Sequence, residues 1–135
     1  MLVLDTNTIS YYFRGDPLVV PRLQAISPAD IGVPAVVEYE LRYGLLRLTP
    51  EAAAPRLLAL AQLLRPMQAL PFDSECAAHA AFVRATLESA GTPIGPHDLL
   101  IAATALRHQA TLITRNVREF ARVPGLQCLN WHDKA

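Results

Sequence analysis

The stretch Leu2-Val3-Leu4-Asp5-Thr6-Asn7-Thr8-Ile9-Ser10-Tyr11-Tyr12-Phe13-Arg14-Gly15 decides the fold. Its apolar start is too short for a helix and stops at a carboxylate. A helical segment over 6–14 follows, closed by a glycine, so the chain opens as a strand (1–4) feeding a helix. The same alternation continues along the chain. Asp16-Pro17 restarts a helix with an acidic cap and a proline in the first turn. Residues 30–33 read as a second strand, and Pro34 opens a helix to about residue 48. Thr49-Pro50-Glu51 caps another helix to residue 64, with Pro55 leaving its start open and Pro66 ending it.

Residues 68–72 form a third short strand, and Asp73-Ser74-Glu75 starts a helix over 76–90 with Gly91 as its stop. After the loop Thr92-Pro93-Ile94-Gly95-Pro96, residues 97–109 are nearly all apolar or small, as in a helix packed on a sheet. Residues 111–114 read as a fully buried strand, 116–121 as a helical turn, and 127–129 as a last edge strand. Strands alternating with helices predict an α/β fold on a mostly parallel sheet. At 135 residues the chain is one domain long, residues 1–135.

Composition excludes several classes. Hydrophobic residues make up 52%, yet no stretch approaches the ~20 apolar residues of a membrane span. The first residues carry no basic region, long apolar region or cleavage site, so no signal peptide is expected and cytoplasmic residence is. A formal net charge of zero argues against a strongly basic nucleic-acid coat. All basic residues except Lys134 are arginine, which suits phosphate forks, although a GC-rich coding sequence gives the same bias. Cys76 and Cys128 have no CxxC spacing and read as buried free thiols.

Three acids stand where a carboxylate is costly. Asp5 ends the first strand, Glu40 lies within Val36-Val37-Glu38-Tyr39-Glu40-Leu41, and Asp98 precedes Leu99-Leu100-Ile101-Ala102-Ala103. Left unpaired in apolar surroundings, each costs several kcal/mol. Glu38 and Glu40 point about 200° apart on a helix. Glu40 shares the inward stripe of Val37, Leu41, Gly44 and Leu48, whereas Glu38 sits four residues before Arg42 and fits a surface ion pair. Gly44 is expected to allow close backbone packing. Individually, Asp5 also fits a helix cap and Asp98 a helix-end anion. Jointly, carboxylates gathered at one point call for an oxygen-ligated hard cation such as Mg²⁺ or Mn²⁺.

Four segments carry a family resemblance: Leu4-Asp5-Thr6-Asn7-Thr8-Ile9-Ser10, Glu40-Leu41-Arg42-Tyr43-Gly44, Ile94-Gly95-Pro96-His97-Asp98-Leu99-Leu100-Ile101-Ala102-Ala103, and Leu112-Ile113-Thr114-Arg115-Asn116-Val117-Arg118-Glu119-Phe120. In this order and spacing the chain resembles PIN-domain ribonucleases, and within them the VapC-type toxins of toxin–antitoxin modules. The resemblance implies a three-layer α/β/α fold with about four to five strands. It implies Mg²⁺-dependent cleavage of RNA, transfer RNA among the targets, to 5′-phosphate and 3′-hydroxyl products. It also implies a VapB-like antitoxin partner and a homodimer, for which the apolar helix at 57–64 speaks as well.

By that resemblance Asp5, Glu40 and Asp98 hold the metal, with Asn116 at the fourth position. An amide there departs from the fully acidic version and favours one well-held metal over two. Glu119, one turn on, either compensates or is a solvated charge. Asn7, Thr114, Arg115 and Arg118 are supporting candidates. The Thr114 hydroxyl either orients a ligand or bonds backbone, and Arg115, Arg118 and Arg122 form either a cationic stripe or a solvated face.

His97 adjoins Asp98 and is open to a substrate or a structural role; His79, His108 and His132 read as incidental. Tyr11, Tyr12 and Phe13 offer a stacking surface for unpaired bases or pack one ring inward. Trp131 is expected to cover the sheet edge. Two other functions stand beside the nuclease. A receiver-like signalling module gathers acids and Mg²⁺ similarly but needs a lysine near its last strands, and Lys134 is the only one. A catalytically weak PIN-like module binding RNA or antitoxin is the other alternative.

Overall fold

The computed structural model describes residues 1–132; Lys134 lies outside them. Among these residues five strands form one sheet: β1 (Leu2–Leu4), β2 (Ile31–Pro34), β3 (Gln68–Leu70), β4 (Thr111–Ile113) and β5 (Gln127–Leu129). Their order is β3-β2-β1-β4-β5 and every pair is parallel. The expected mostly parallel sheet is thus wholly parallel among the described residues. Among the described residues seven α-helices accompany it: α1 (Thr6–Phe13), α2 (Val19–Gln24), α3 (Ala35–Leu46), α4 (Pro50–Leu64), α5 (Ser74–Ser89), α6 (Pro96–Arg107) and α7 (Val117–Phe120). With helices on both faces the architecture is three-layer α/β/α. Strands covered on both faces read as continuous apolar runs, and Val3, Leu4, Leu112 and Ile113 are fully buried.

The order places a reversal between β1 and β4. From β1 the chain steps outward to β2 and β3, then returns to the other side of β1 with β4. In parallel sheets such a reversal opens a crevice at the carboxyl ends of the strands. Asp5 and Thr114 are the residues immediately after those ends. The two strands are joined above their ladder, because Asp5 N–H donates to Ile113 C=O at 3.2 Å.

Several boundaries differ from the sequence expectation for physical reasons. Strand β3 ends at Leu70, because Pro71 offers no N–H to a ladder. Helix α2 begins at Val19 rather than in the Asp16-Pro17 turn; Asp16 still caps it, its Oδ1 accepting from Leu18 and Val19 N–H at 2.9 and 3.0 Å. Helix α3 ends at Leu46, leaving Leu48 exposed beyond it.

The inward stripe of α3 therefore reduces to Val37 and Leu41. Gly44 is exposed, and a Cβ there would meet nothing within 4 Å, so the close packing expected of it is not found. The crowded glycine is Gly32 in β2, where a Cβ would stand 2.6 Å from Leu70 Cδ1 and 2.7 Å from Met1 Sδ. Both cysteines are free; Cys76 is buried as expected, whereas Cys128, on edge strand β5, is only half-buried. Trp131, just past β5, is buried in the core.

Candidate active site

Four carboxylates meet in the crevice, each delivered by a different element. Asp5 sits between β1 and α1 and is 4% exposed. Its Oδ1 accepts from the Thr8 backbone N–H at 2.9 Å and from the Thr8 hydroxyl at 2.6 Å. The cap reading and the site reading of Asp5 are thus compatible, since one oxygen caps α1 and the other is left over. Thr8 was not singled out in the sequence; its place three residues after an Asp before a helix is the capping signature that finds it. Fully buried, it also bonds Ile113 C=O at 3.2 Å, fixing α1 to β4.

Glu40 comes from α3 and is gripped at both oxygens. The Thr6 hydroxyl donates to Oε1 at 2.6 Å, and His97 Nδ1 lies 2.9 Å from Oε2. Helical phase separates it from Glu38, which pairs on the surface with Arg42 at 2.7 Å. Neither Thr6 nor the Glu40 contact of His97 is visible in the sequence, because each joins residues more than thirty positions apart. His97 nevertheless belongs to the site, packed edge-on against the Tyr39 ring with centroids 5.7 Å apart.

Asp98 stands in the first turn of α6, whose N-cap Gly95 offers no side chain. Its carboxyl is pushed up to about 6, first by burial and then by Glu119, Asp5 and Glu40; His97 opposes the rise. That perturbation is the electrostatic signature of convergence, since three further acids act on one half-buried carboxylate. Glu119 is foremost among them, and the solvated-charge reading of it is corrected. Its Oε1 accepts from Gly95 N–H at 3.2 Å and its Oε2 from the Asn116 amide. Asn116 acts here through its nitrogen, holding Glu119, rather than through its carbonyl.

The supporting candidates divide. Thr114 is fully buried, and its hydroxyl accepts from Asn116 N–H at 3.0 Å, which is the backbone reading. Asn7 is exposed and makes no side-chain hydrogen bond among the described residues. The arginines do not form a stripe, because α7 is only four residues long. Arg115 turns to the Tyr11 hydroxyl at 3.1 Å, Arg122 to Pro93 C=O at 3.2 Å, and Arg118 is exposed with no side-chain partner among the described residues. Tyr11 and Tyr12 both pack against the core while Phe13 stays exposed, so no open three-ring surface exists. Of the remaining histidines, His79 is exposed, His108 keeps a buried Nε2 with no partner among the described residues, and His132 lies 3.4 Å from Asp16.

The donor chemistry fits a hard divalent cation. Among the described residues no protein donor reaches Asp5 Oδ2 or the Asp98 carboxylate, whereas Glu40 and Glu119 are bonded at both oxygens. These four acids, offset at Asp98 by His97, form an anionic pocket that a cation would neutralise. No three His, Cys, Asp or Glu side chains among the described residues already surround one point at ligand spacing, so the set is gathered but open.

Comparison with known proteins bears on the family and the fold. The PIN domain family model matches residues 2–126. The chain is 31% identical over 131 residues to the tRNA(fMet)-specific endonuclease VapC of Salmonella typhimurium, with 96% of each chain covered. It is 34% identical to ribonuclease VapC1 of Haemophilus influenzae, again with 96% of each covered. Among solved structures, the DNA-bound VapBC of Salmonella typhimurium superposes with a TM-score of 0.88 at 28% identity, covering 96% of this chain and 97% of that one.

Proposed function

The chain belongs to the PIN-domain family, among its VapC-type ribonucleases, and we propose that it is a divalent-cation-dependent endoribonuclease serving as the toxin of a toxin–antitoxin pair. The observation that carries this reading is the half-buried Asp98, its carboxyl raised to about 6 by a crevice shared with Glu119, Asp5 and Glu40. Mg²⁺ is the proposed cofactor, with Mn²⁺ accepted by the same oxygen-rich set. When bound, the cation neutralises these acids, polarises the scissile phosphate and lowers the pKa of the attacking water.

The chain's own groups divide the remaining work. Asp5 Oδ2 and Asp98 would be the direct ligands, since among the described residues no protein donor competes for them, whereas Glu40, also expected to hold the metal, is bonded at both oxygens. Glu40, held by Thr6 and His97, and Glu119, held by Asn116 and Gly95, would orient the attacking water, and one of the two would accept the single proton it loses. Fixing them beforehand removes reorganisation from the reaction step. With Glu119 counted, the site is fully acidic after all, and Asn116 is a positioning residue within it. This favours catalysis over the weak binding-module alternative.

Transfer RNA is the proposed substrate class, in keeping with the names of the relatives. A VapB-like antitoxin is the proposed partner, as in the VapBC complexes of the structural neighbours. Homodimerisation is supported by the exposed face of α3, where Tyr39, Tyr43 and Leu46 are all more than half exposed. Among the described residues no helix is long and apolar enough to cross a membrane, and a cytoplasmic site of action is proposed. The test is cleavage of total transfer RNA by the purified chain with Mg²⁺ or Mn²⁺. Cleavage is expected to stop in EDTA and in Asp5→Asn protein; undiminished cleavage by that variant overturns the site.

A further inference from the structure

We propose that Arg14, Tyr11 and Arg115 form a backbone-phosphate subsite for RNA beside the acidic crevice. Arg14 Cζ lies 5.6 Å and Arg115 Cζ 5.7 Å from the centroid of the one Tyr11 ring, and Arg115 also donates to the Tyr11 hydroxyl at 3.1 Å. Two guanidinium groups are thereby gathered by a single uncharged side chain.

Neither arginine forms an ion pair with a carboxylate among the described residues. The acid that acts on Arg115 is Asp16, and its oxygens are already engaged by Leu18 and Val19 N–H and by His132. Both guanidinium heads are exposed. Two cations gathered this closely, neither in a direct ion pair among the described residues, are a site for a polyanion.

The position of the pair relative to the crevice identifies the polyanion. Arg115 is adjacent in sequence to Asn116, which holds Glu119. Arg14 lines a groove of about 500 Å³ that Thr6 and Glu40 also line. The shared groove and this adjacency put both arginines on the side of the crevice where the phosphates flanking one held at the acids would pass. With zero net charge, the chain has no general field to attract RNA, so affinity must come from local clusters of this kind. Tyr11 keeps the two cations in place and, with its ring so occupied, is a positioning residue rather than a base-stacking platform.

The subsite rests on the ribonuclease reading, and two readouts separate them. Binding of a 5′-fluorescein-labelled oligouridylate is followed by anisotropy in EDTA across a salt series, and transfer RNA cleavage is followed with Mn²⁺. In Arg14→Ala/Arg115→Ala protein, affinity is expected to fall by about tenfold per arginine. The salt slope of log K is expected to shrink by about 0.7 for each lost contact. In cleavage, KM rises while kcat at saturating RNA stays within about twofold. Tyr11→Phe, which keeps the ring and loses the hydroxyl, weakens binding less than Tyr11→Ala. The control Arg65→Ala/Arg84→Ala removes the same charge elsewhere and leaves the slope unchanged.

Wild-type affinity and slope in the Arg14/Arg115 variant overturn the subsite, as does a loss confined to binding of a protein partner. An equal loss in the control variant also overturns it. If wild-type protein cleaves no RNA, the ribonuclease reading fails while the anisotropy series still decides the subsite.

Discussion

The interior of the sheet and the crevice at its carboxyl edge are built from adjacent residues on the same strands, yet they obey opposite rules. Val3, Leu4, Leu112 and Ile113 are fully buried, apolar and packed on both faces. One residue further along each strand come Asp5 and Thr114, and with them a half-buried Asp98 whose carboxyl is raised to about 6 by its neighbours. The interior is locally consistent, each residue favouring the fold it adopts. The crevice accumulates like charge that folding alone would disperse. Stability and chemistry are thus separated by a single peptide unit, and substitutions on the two sides should carry opposite signatures.

Asp98→Asn is expected to have the largest effect. Cleavage should fall on the order of 10²–10³-fold, while the cation-free fold tolerates the change. A variant that loses activity only in step with unfolding would place Asp98 with the interior instead. Leu112→Ala is the mirror case. It should lower stability by about 2–5 kcal/mol with kcat retained at temperatures where the protein stays folded, as denaturant unfolding beside activity would show. An early loss of kcat would mean that packing and chemistry are not separable here.

Smaller effects test the partners that grip the crevice acids. Thr6→Val removes the hydroxyl that donates to Glu40 Oε1 but keeps the side-chain shape. About a tenfold drop in cleavage with little change in unfolding is expected, and the same should hold for Asn116→Ala, which frees Glu119.

A pH series sharpens the comparison further. Between the ordinary Asp value of 3.8 and about 6, the folded chain holds a proton on Asp98 that the unfolded chain has lost. The contribution of Asp98 to stability of the cation-free protein therefore falls as pH rises through that window and stays lower above it, where the group is charged in both states. Cleavage with the cation present should persist to lower pH than this cation-free window, because a cation at Asp98 favours its ionised form. The interior variant Leu112→Ala should show the same window, because it leaves the acids alone.

Much of this was legible in the sequence. Strand and helix order followed from short apolar runs, caps such as Asp73 and Thr49, and stops such as Gly15 and Gly91, because these signals are local. Asp5, Glu40 and Asp98 were found because a carboxylate in an apolar segment violates a local rule, and Glu38 was set aside by helical phase. What stayed hidden depends on contacts between distant elements. The Thr6 to Glu40, His97 to Glu40 and Gly95 to Glu119 contacts join residues 24–57 positions apart. Glu119 is polar and lies on a short turn, so nothing local marks it as turned inward. The arginine stripe failed for a related reason, since i, i+3, i+7 spacing has meaning only on a helix longer than the four residues of α7.

The central claim is that the crevice holds mutually repelling carboxylates gathered for a cation. Thermal unfolding of wild-type and Asp98→Asn protein above neutral pH, in EDTA and then with Mn²⁺ or Mg²⁺, tests it most directly. In EDTA the variant should unfold several degrees above wild type, having lost the repulsion. Adding the cation should raise the wild-type midpoint and leave the variant nearly unmoved. A variant less stable than wild type in EDTA, together with equal response of the two to the cation, would contradict the account.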